Sequence, residues 1–177
     1  MSSRSLFRFA GWAAILSVVF SFGMFAFVEG GRGGLFMVVS IIASFFSVVV
    51  FYTLYVLHRP QSAGLSLAMI MCGVLALILE TIGTGPQTTL GIVTNVIYGV
   101  SFLLVGYLGF GNSQMPRWIA ICAYVVGASC VAFGGLTALG QTDLAGAIEM
   151  VQFLSWIAWS VGILIRFSFS KTALATA

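Results

Sequence analysis

Residues 35–57 read LFMVVSIIASFFSVVVFYTLYVL, a run of 23 residues without one charged side chain. About 20 apolar residues in a helix are enough to cross the roughly 30 Å hydrocarbon core of a bilayer. From Phe45 to Tyr52 the apolar side chains occupy odd and even positions alike, whereas a membrane β-strand alternates apolar and polar residues over about ten positions. The run therefore predicts a transmembrane helix and argues against a β-barrel.

The rest of the chain repeats this pattern. Its 177 residues are 60% hydrophobic and only 6% charged, whereas a soluble domain is about a quarter charged and a disordered chain has few apolar residues. Short links that hold all three prolines separate six apolar segments: 8–28, 35–57, 65–83, 90–110, 118–139 and 144–167. We predict an all-α, polytopic membrane protein in which residues 1–177 form one domain, a compact bundle of six transmembrane helices.

Basic residues predict the orientation of this bundle, because Lys and Arg concentrate on the cytoplasmic side of membrane proteins. Six of the seven fall on the side that holds both chain termini: Arg4, Arg8, Arg59, Arg117, Arg166 and Lys171. Only Arg32 lies in a link on the other side. We therefore expect a multi-pass protein of the cell (inner) membrane with both termini in the cytoplasm. The net charge of +3 then reflects topology, and we expect no nucleic-acid partner.

The first apolar segment follows two arginines, as the core of a signal peptide does. Its length of about 20 residues exceeds a usual signal core, and Ala26-Phe27-Val28 is a poor cleavage site. We interpret it as a retained first span.

Small residues at helical spacing predict which helix faces pack together, because membrane helices associate through positions where their backbones approach closely. Four spans carry such stripes: Ala13, Ser17 and Ser21; Ser40, Ser44 and Ser47; Gly73 and Ala76; and Ala128, Ala132 and Gly135. We expect these faces to pack inside the bundle and the Phe and Leu side chains to face lipid.

Few side chains offer chemistry. His58 is the sole histidine, the three cysteines form no Cys-x-x-Cys pair, and no lysine lies within a span. We therefore predict no metal site and no cofactor held by this chain alone. The sequence leaves enzymatic activity open, but a membrane enzyme would have to use Glu80 and Glu149 as its acid/base pair.

Two acidic residues lie inside predicted spans, where ionisable groups are costly and often functional. Glu80 continues the small-residue face of Gly73 and Ala76, and other polar and aromatic residues lie at comparable depth. Candidate ligand- or ion-binding residues are Glu80, Asn95, Tyr98, Glu149, Gln152 and Trp156. The alternative is that the two carboxylates reach the headgroups or make hydrogen bonds between helices.

These residues predict an integral membrane protein that binds or transports a small molecule or ion at an outward-facing polar pocket. The alternative is a non-catalytic structural or accessory subunit of a larger membrane protein complex. Membrane lipids are the expected partners, and a homo-oligomer or a larger complex stays open. Arg59 follows the second span and Arg117 precedes the fifth, both at the predicted cytoplasmic surface. There they can bind lipid phosphate or an acidic loop of a partner.

Overall fold

A computed structural model describes residues 3–28, 34–82 and 88–169, and this part of the chain contains helices and no strand. The six α-helices are α1 (Ser3–Val28), α2 (Gly34–His58), α3 (Ala63–Thr81), α4 (Thr89–Phe110), α5 (Arg117–Ala138) and α6 (Thr142–Leu164). A π-helical turn, Ile165–Phe169, extends α6. Two of the basic residues counted above, Arg32 and Lys171, lie outside the described residues.

All six helices are long and apolar enough to cross a membrane, which confirms the predicted all-helical, six-span architecture. Two helix starts are fixed by capping side chains. The Ser62 hydroxyl accepts a hydrogen bond from the Leu65 amide at 3.4 Å, and the Thr88 hydroxyl accepts one from the Gly91 amide at 3.1 Å. Such caps satisfy amide groups that have no partner within the first helical turn.

The helices form a closed ring. Each packs against the helix before and after it in the chain, and α6 returns to α1, while α2 and α4 also touch. We call the end where α1 begins the near end, and the opposite end the far end. At the near end the rings of Phe7 and Phe167 meet edge to face, with centroids 5.2 Å apart. The Ser168 hydroxyl donates to the Arg8 carbonyl at 3.3 Å, so the two ends of the described chain lie together.

The closest packing in the ring is between α4 and α5. A methyl group added at Gly127 of α5 would lie 2.7 Å from the Leu103 amide nitrogen and 2.8 Å from the Gly99 carbonyl oxygen. Both neighbouring atoms belong to the backbone of α4. Glycine at this position therefore allows direct contact between two helix backbones, the packing that replaces the hydrophobic effect inside a membrane.

The predicted small-residue face of α5 is wrong. Ala128, Ala132 and Gly135 are exposed, and a methyl group added at Gly135 would meet nothing within 4 Å. The face that packs inside the bundle contains other residues of the same helix: Ala120, Ala123, Gly127, Cys130 and Gly134. Because α5 has small residues on two faces, its own sequence does not select between them; the glycines of α4 select the one that packs.

The stripes on the other three helices lie inside the bundle, as predicted. Ala13 and Ser17 of α1 are buried, and so is Ser40 of α2. On α3, Gly73 and Ala76 are buried. The remaining members of these stripes, Ser21, Ser44 and Ser47, are half-buried.

One hydrogen bond links α4 to α3 within the buried interior. The Ser101 hydroxyl of α4 donates to the Met69 carbonyl oxygen of α3 at 2.8 Å, and both residues are fully buried. This bond fixes the relative height of the two helices that carry Glu80, Asn95 and Tyr98.

Candidate functional site

An aromatic layer crosses the middle of the helix ring. It contains Phe51 of α2, Phe102 of α4 and Trp159 of α6, all of them buried. The ring centroids of Phe51 and Phe102 lie 5.8 Å apart, and those of Phe102 and Trp159 lie 4.9 Å apart. The Phe51 ring also faces Gly73 of α3, where an added methyl group would lie 3.0 Å from it. These contacts place α2, α3, α4 and α6 at a common level.

Polar residues occupy the same helix faces two turns closer to the far end. Residues seven apart share one face of an α-helix and are separated by about 10 Å along its axis. Counting seven residues from the aromatic layer, or from Gly73 on α3, reaches four polar residues, which we call the polar layer: Ser44, Glu80, Asn95 and Gln152. The hydroxyl oxygens of Ser44 and Thr81 lie 3.2 Å apart, so α2 and α3 keep a common level here.

The carboxylate of Glu80 acts electrostatically on groups of two other helices. It lies within electrostatic range of the Tyr98 hydroxyl on α4 and of the Cys130 thiol on α5. Because α3 and α5 do not pack against each other, a side chain of α3 reaches an interaction with α5 only across the interior. Cys130 is itself fully buried, so this interaction of Glu80 is with a group of the bundle interior.

Glu80 is exposed by its surface area, although the protein around it desolvates its carboxylate. Exposure together with desolvation is what a group at the mouth of an indentation shows, and we call this position the recess. Among the residues that the structure describes, none forms a hydrogen bond or an ion pair with this carboxylate. Glu80 is therefore an acid without a basic partner in the described part of the chain.

The two amides of the polar layer present oxygen atoms to the interior. The Asn95 side-chain nitrogen donates to the Gly91 carbonyl oxygen at 3.0 Å. A carbonyl can only accept, so this bond fixes the orientation of the Asn95 amide and leaves its Oδ1 atom as an acceptor. The Oε1 atom of Gln152 is buried and has no hydrogen-bond partner. Gln152 lies seven residues from Trp159, whose ring reaches across the bundle, so both side chains share the inward face of α6.

The two aromatic residues of the predicted site have different surroundings. Tyr98 packs edge to face on Phe102 and Phe51, with ring centroids 5.0 and 6.1 Å apart. It therefore lies between the polar and aromatic layers, with its hydroxyl near Glu80. Trp156 is half-buried and packs against the buried core, and its ring lies 6.2 Å from that of Phe153. Packing accounts for the placement of Trp156.

Glu149, the second acid of the predicted pair, has a different environment from Glu80. It is exposed and lies one helical turn beyond Gln152 towards the far end of α6. The backbones of α3 and α6 do not pack against each other. Within the described residues no hydrogen bond or ion pair joins the two carboxylates, so the acid/base pair that a membrane enzyme would need has no contact to support it.

No protein-family model, curated protein or solved structure matches this chain. Functional assignment therefore depends on the interior residues themselves. In the described part of the chain, no group of three or more His, Cys, Asp and Glu side chains is placed to hold a metal ion. The polar layer, with one carboxylate and several neutral oxygens, is the arrangement that offers chemistry.

Sequence reasoning missed a hydrogen-bonded cluster at the near end. His58 is fully buried, and its Nδ1 atom lies 3.2 Å from the Asn112 side-chain nitrogen, which also approaches the Leu57 carbonyl oxygen at 3.4 Å. The Asn112 side-chain oxygen accepts from the Gln114 amide at 2.9 Å, and Arg166 donates to the Gln114 carbonyl at 2.6 Å. The cluster joins the end of α2 and the link between α4 and α5 to the π-helical turn.

One sequence signal pointed to this cluster, namely a lone histidine directly after 23 apolar residues. Its partner Asn112 lies more than fifty positions away, so no local pattern could identify this contact. The two arginines predicted to bind lipid or a partner, Arg59 and Arg117, are exposed at this end, and their role stays a prediction.

Proposed function

We propose that this protein binds, and carries across the membrane, a small polar solute or cation that occupies the recess at the polar layer. The observation that supports the proposal is the carboxylate of Glu80, which belongs to a helix long and apolar enough to cross a membrane and has no partner among the described residues. A buried charge is costly unless it is paired, and the described residues supply no counter-charge. A carboxylate of this kind is stabilised either by a proton or by a bound cation, and exchange between the two is a basis for transport.

The basic residues support an orientation in which the recess opens away from the cytoplasm. Five lie at or beside the near end of the described helices: Arg4, Arg8, Arg59, Arg117 and Arg166. The far half carries Glu80, Asp143 and Glu149 instead. By the positive-inside tendency, we expect the near end, where the described residues begin and end, to be cytoplasmic and the polar layer to lie in the outer half of the membrane.

An accessory role in a larger membrane complex is the second candidate, and one observation favours it. The small-residue stripe of Ala128, Ala132 and Gly135 lies on the outer surface of α5. Small residues on an exposed helix face allow another transmembrane helix to approach closely. This role and solute binding use different faces of the protein, so one experiment can separate them.

The chain supplies a matched pair of variants for this test, because Glu80→Gln and Glu149→Gln remove the same charge from two exposed positions, of which only Glu80 belongs to the polar layer. The probes are Na⁺, K⁺, NH₄⁺, Ca²⁺, alkylammonium ions, neutral amino acids and sugars, each added to the purified protein in detergent. We expect at least one probe, at about one hundred times its Kd, to raise the Tm by about 5–10 °C. Glu80→Gln should abolish this shift, whereas Glu149→Gln should retain it.

Two results would contradict the proposal. One is a solute response that survives Glu80→Gln and disappears in Glu149→Gln, because the binding site would then lie on the exposed face of α6. The other is the absence of a response to every probe from a folded chain that co-purifies with a second membrane protein. That outcome would support the accessory role.

A further inference from the structure

The polar layer presents hydrogen-bond acceptors with few donors of its own. Glu80 contributes a carboxylate, Asn95 contributes Oδ1 because its nitrogen is bound to the Gly91 carbonyl, and Gln152 contributes a buried oxygen without a partner. Ionised carboxylates and amide oxygens only accept hydrogen bonds. The complementary ligand therefore carries several N–H or O–H donors on one compact group.

The charge at this level is a single negative one. The arginines of the described residues belong to the near-end half of the protein, about two layers of side chains away from Glu80. A ligand with one positive charge neutralises the recess, whereas an anion would add a second negative charge to this site. A divalent metal ion normally takes several charged or oxygen ligands, and the described residues contain no cluster of acidic or metal-binding side chains to supply them.

Aromatic rings form the floor beneath these acceptors. Tyr98 lies between the layers and packs on Phe51 and Phe102, and Trp159 packs on Phe102. Ring faces attract cations within about 6 Å, and their apolar surface favours an apolar group. The Trp159 ring N–H is buried without a partner, so the aromatic layer also contains one hydrogen-bond donor that no described residue accepts. A bare metal ion would gain little from such a floor.

We propose that the polar layer binds a protonated amine that carries an apolar substituent. The ammonium group binds Glu80, Asn95 and Gln152, and the substituent lies against Tyr98 and the aromatic layer. This inference rests on the proposed function and specifies the chemical class of its ligand.

Isothermal titration of the full chain in detergent tests the ligand class with four probes of similar shape or charge. Benzylammonium carries both features, benzyl alcohol lacks the charge, benzoate reverses it, and Na⁺ lacks the apolar group. We expect benzylammonium to bind at least about tenfold more tightly than each of the other probes. Benzyl alcohol lacks the charged hydrogen-bond donor, and benzoate carries the opposite charge. Glu80→Gln should weaken benzylammonium binding by a similar factor, and Glu149→Gln should leave it unchanged.

The comparison among probes uses the unaltered chain, so it stands even if Glu80→Gln fails to fold. Equal or tighter binding of Na⁺, benzyl alcohol or benzoate overturns the amine proposal. If that binding still depends on Glu80, the proposed solute site survives and only its ligand class is wrong. If no probe binds to the folded protein, both the amine class and the proposed function are contradicted.

Discussion

Replacing Gly127 with valine is expected to destabilise the folded bundle by about 3 kcal/mol, which corresponds to a fall in Tm of about 6–12 °C for a chain of this size. The reason is steric. The first carbon of any side chain at this position would lie 2.7 Å from the Leu103 amide nitrogen and 2.8 Å from the Gly99 carbonyl oxygen. Backbone atoms cannot rotate away as a side chain can, so α4 and α5 would have to separate along their most extensive contact.

The same substitution at Gly135 is the matched control. Gly135 lies eight residues further along the same helix, is exposed and has no neighbour within 4 Å of an added methyl group. Thermal unfolding in one detergent, followed by circular dichroism, compares the two variants with the parent chain. We expect Gly135→Val to match the parent. Equal stability of Gly127→Val would show that α4 and α5 do not make this backbone contact.

Phe102→Ala is the second change with a large expected effect, a loss of about 3–5 kcal/mol. Phe102 is fully buried, and its ring contacts those of Phe51, Tyr98 and Trp159. Because α4 and α6 are not neighbours in the ring, the Phe102–Trp159 contact joins helices across the interior. Removing the phenyl group leaves a cavity at the centre of the bundle, and no adjacent side chain is free to fill it without losing its own contacts.

The control for this variant is Phe9→Ala, since Phe9 is exposed on α1. The measurement is the denaturant or temperature midpoint together with the near-ultraviolet dichroism of the aromatic residues. Phe102→Ala should lower the midpoint and weaken the aromatic signal, whereas Phe9→Ala should change neither. A parent-like midpoint for Phe102→Ala would exclude the aromatic layer as a stabilising feature.

The spans could be predicted from the sequence because their length and hydrophobicity have a direct physical cause in the thickness of the bilayer. Helix faces were predictable only where a helix has one small-residue stripe, as on α3 with Gly73 and Ala76. On α5 two stripes compete, and the choice depends on Gly99 of another helix. That information lies in the packing between helices and is absent from the periodicity of one helix.

The candidate site shows the same limit. Periodicity and residue type select Glu80, Asn95 and Gln152 as candidates, and their role in a common site stays a prediction. Glu80 and Glu149 are equivalent by residue type and approximate depth, and both are exposed. They differ in their neighbours, because the carboxylate of Glu80 acts on Tyr98 of α4 and Cys130 of α5. The near-end cluster joins His58 at the end of α2 to Asn112 in the link between α4 and α5, and the lone histidine does not reveal this distant partner.

The central claim is that Glu80 and Gln152 face one interior space although their helices are not neighbours. The most direct test is cross-linking of Glu80→Cys with Gln152→Cys in a chain that carries alanine at its three native cysteines. Neighbouring helix axes lie about 8–10 Å apart and helices across the ring lie farther apart, so the bifunctional thiol reagent should span about 15 Å. Intact-mass spectrometry should show one bridging reagent per chain. Pairing Glu80→Cys with Val151→Cys, an adjacent but exposed position, should show two separate additions; bridging to position 151 in preference to position 152 would contradict the account.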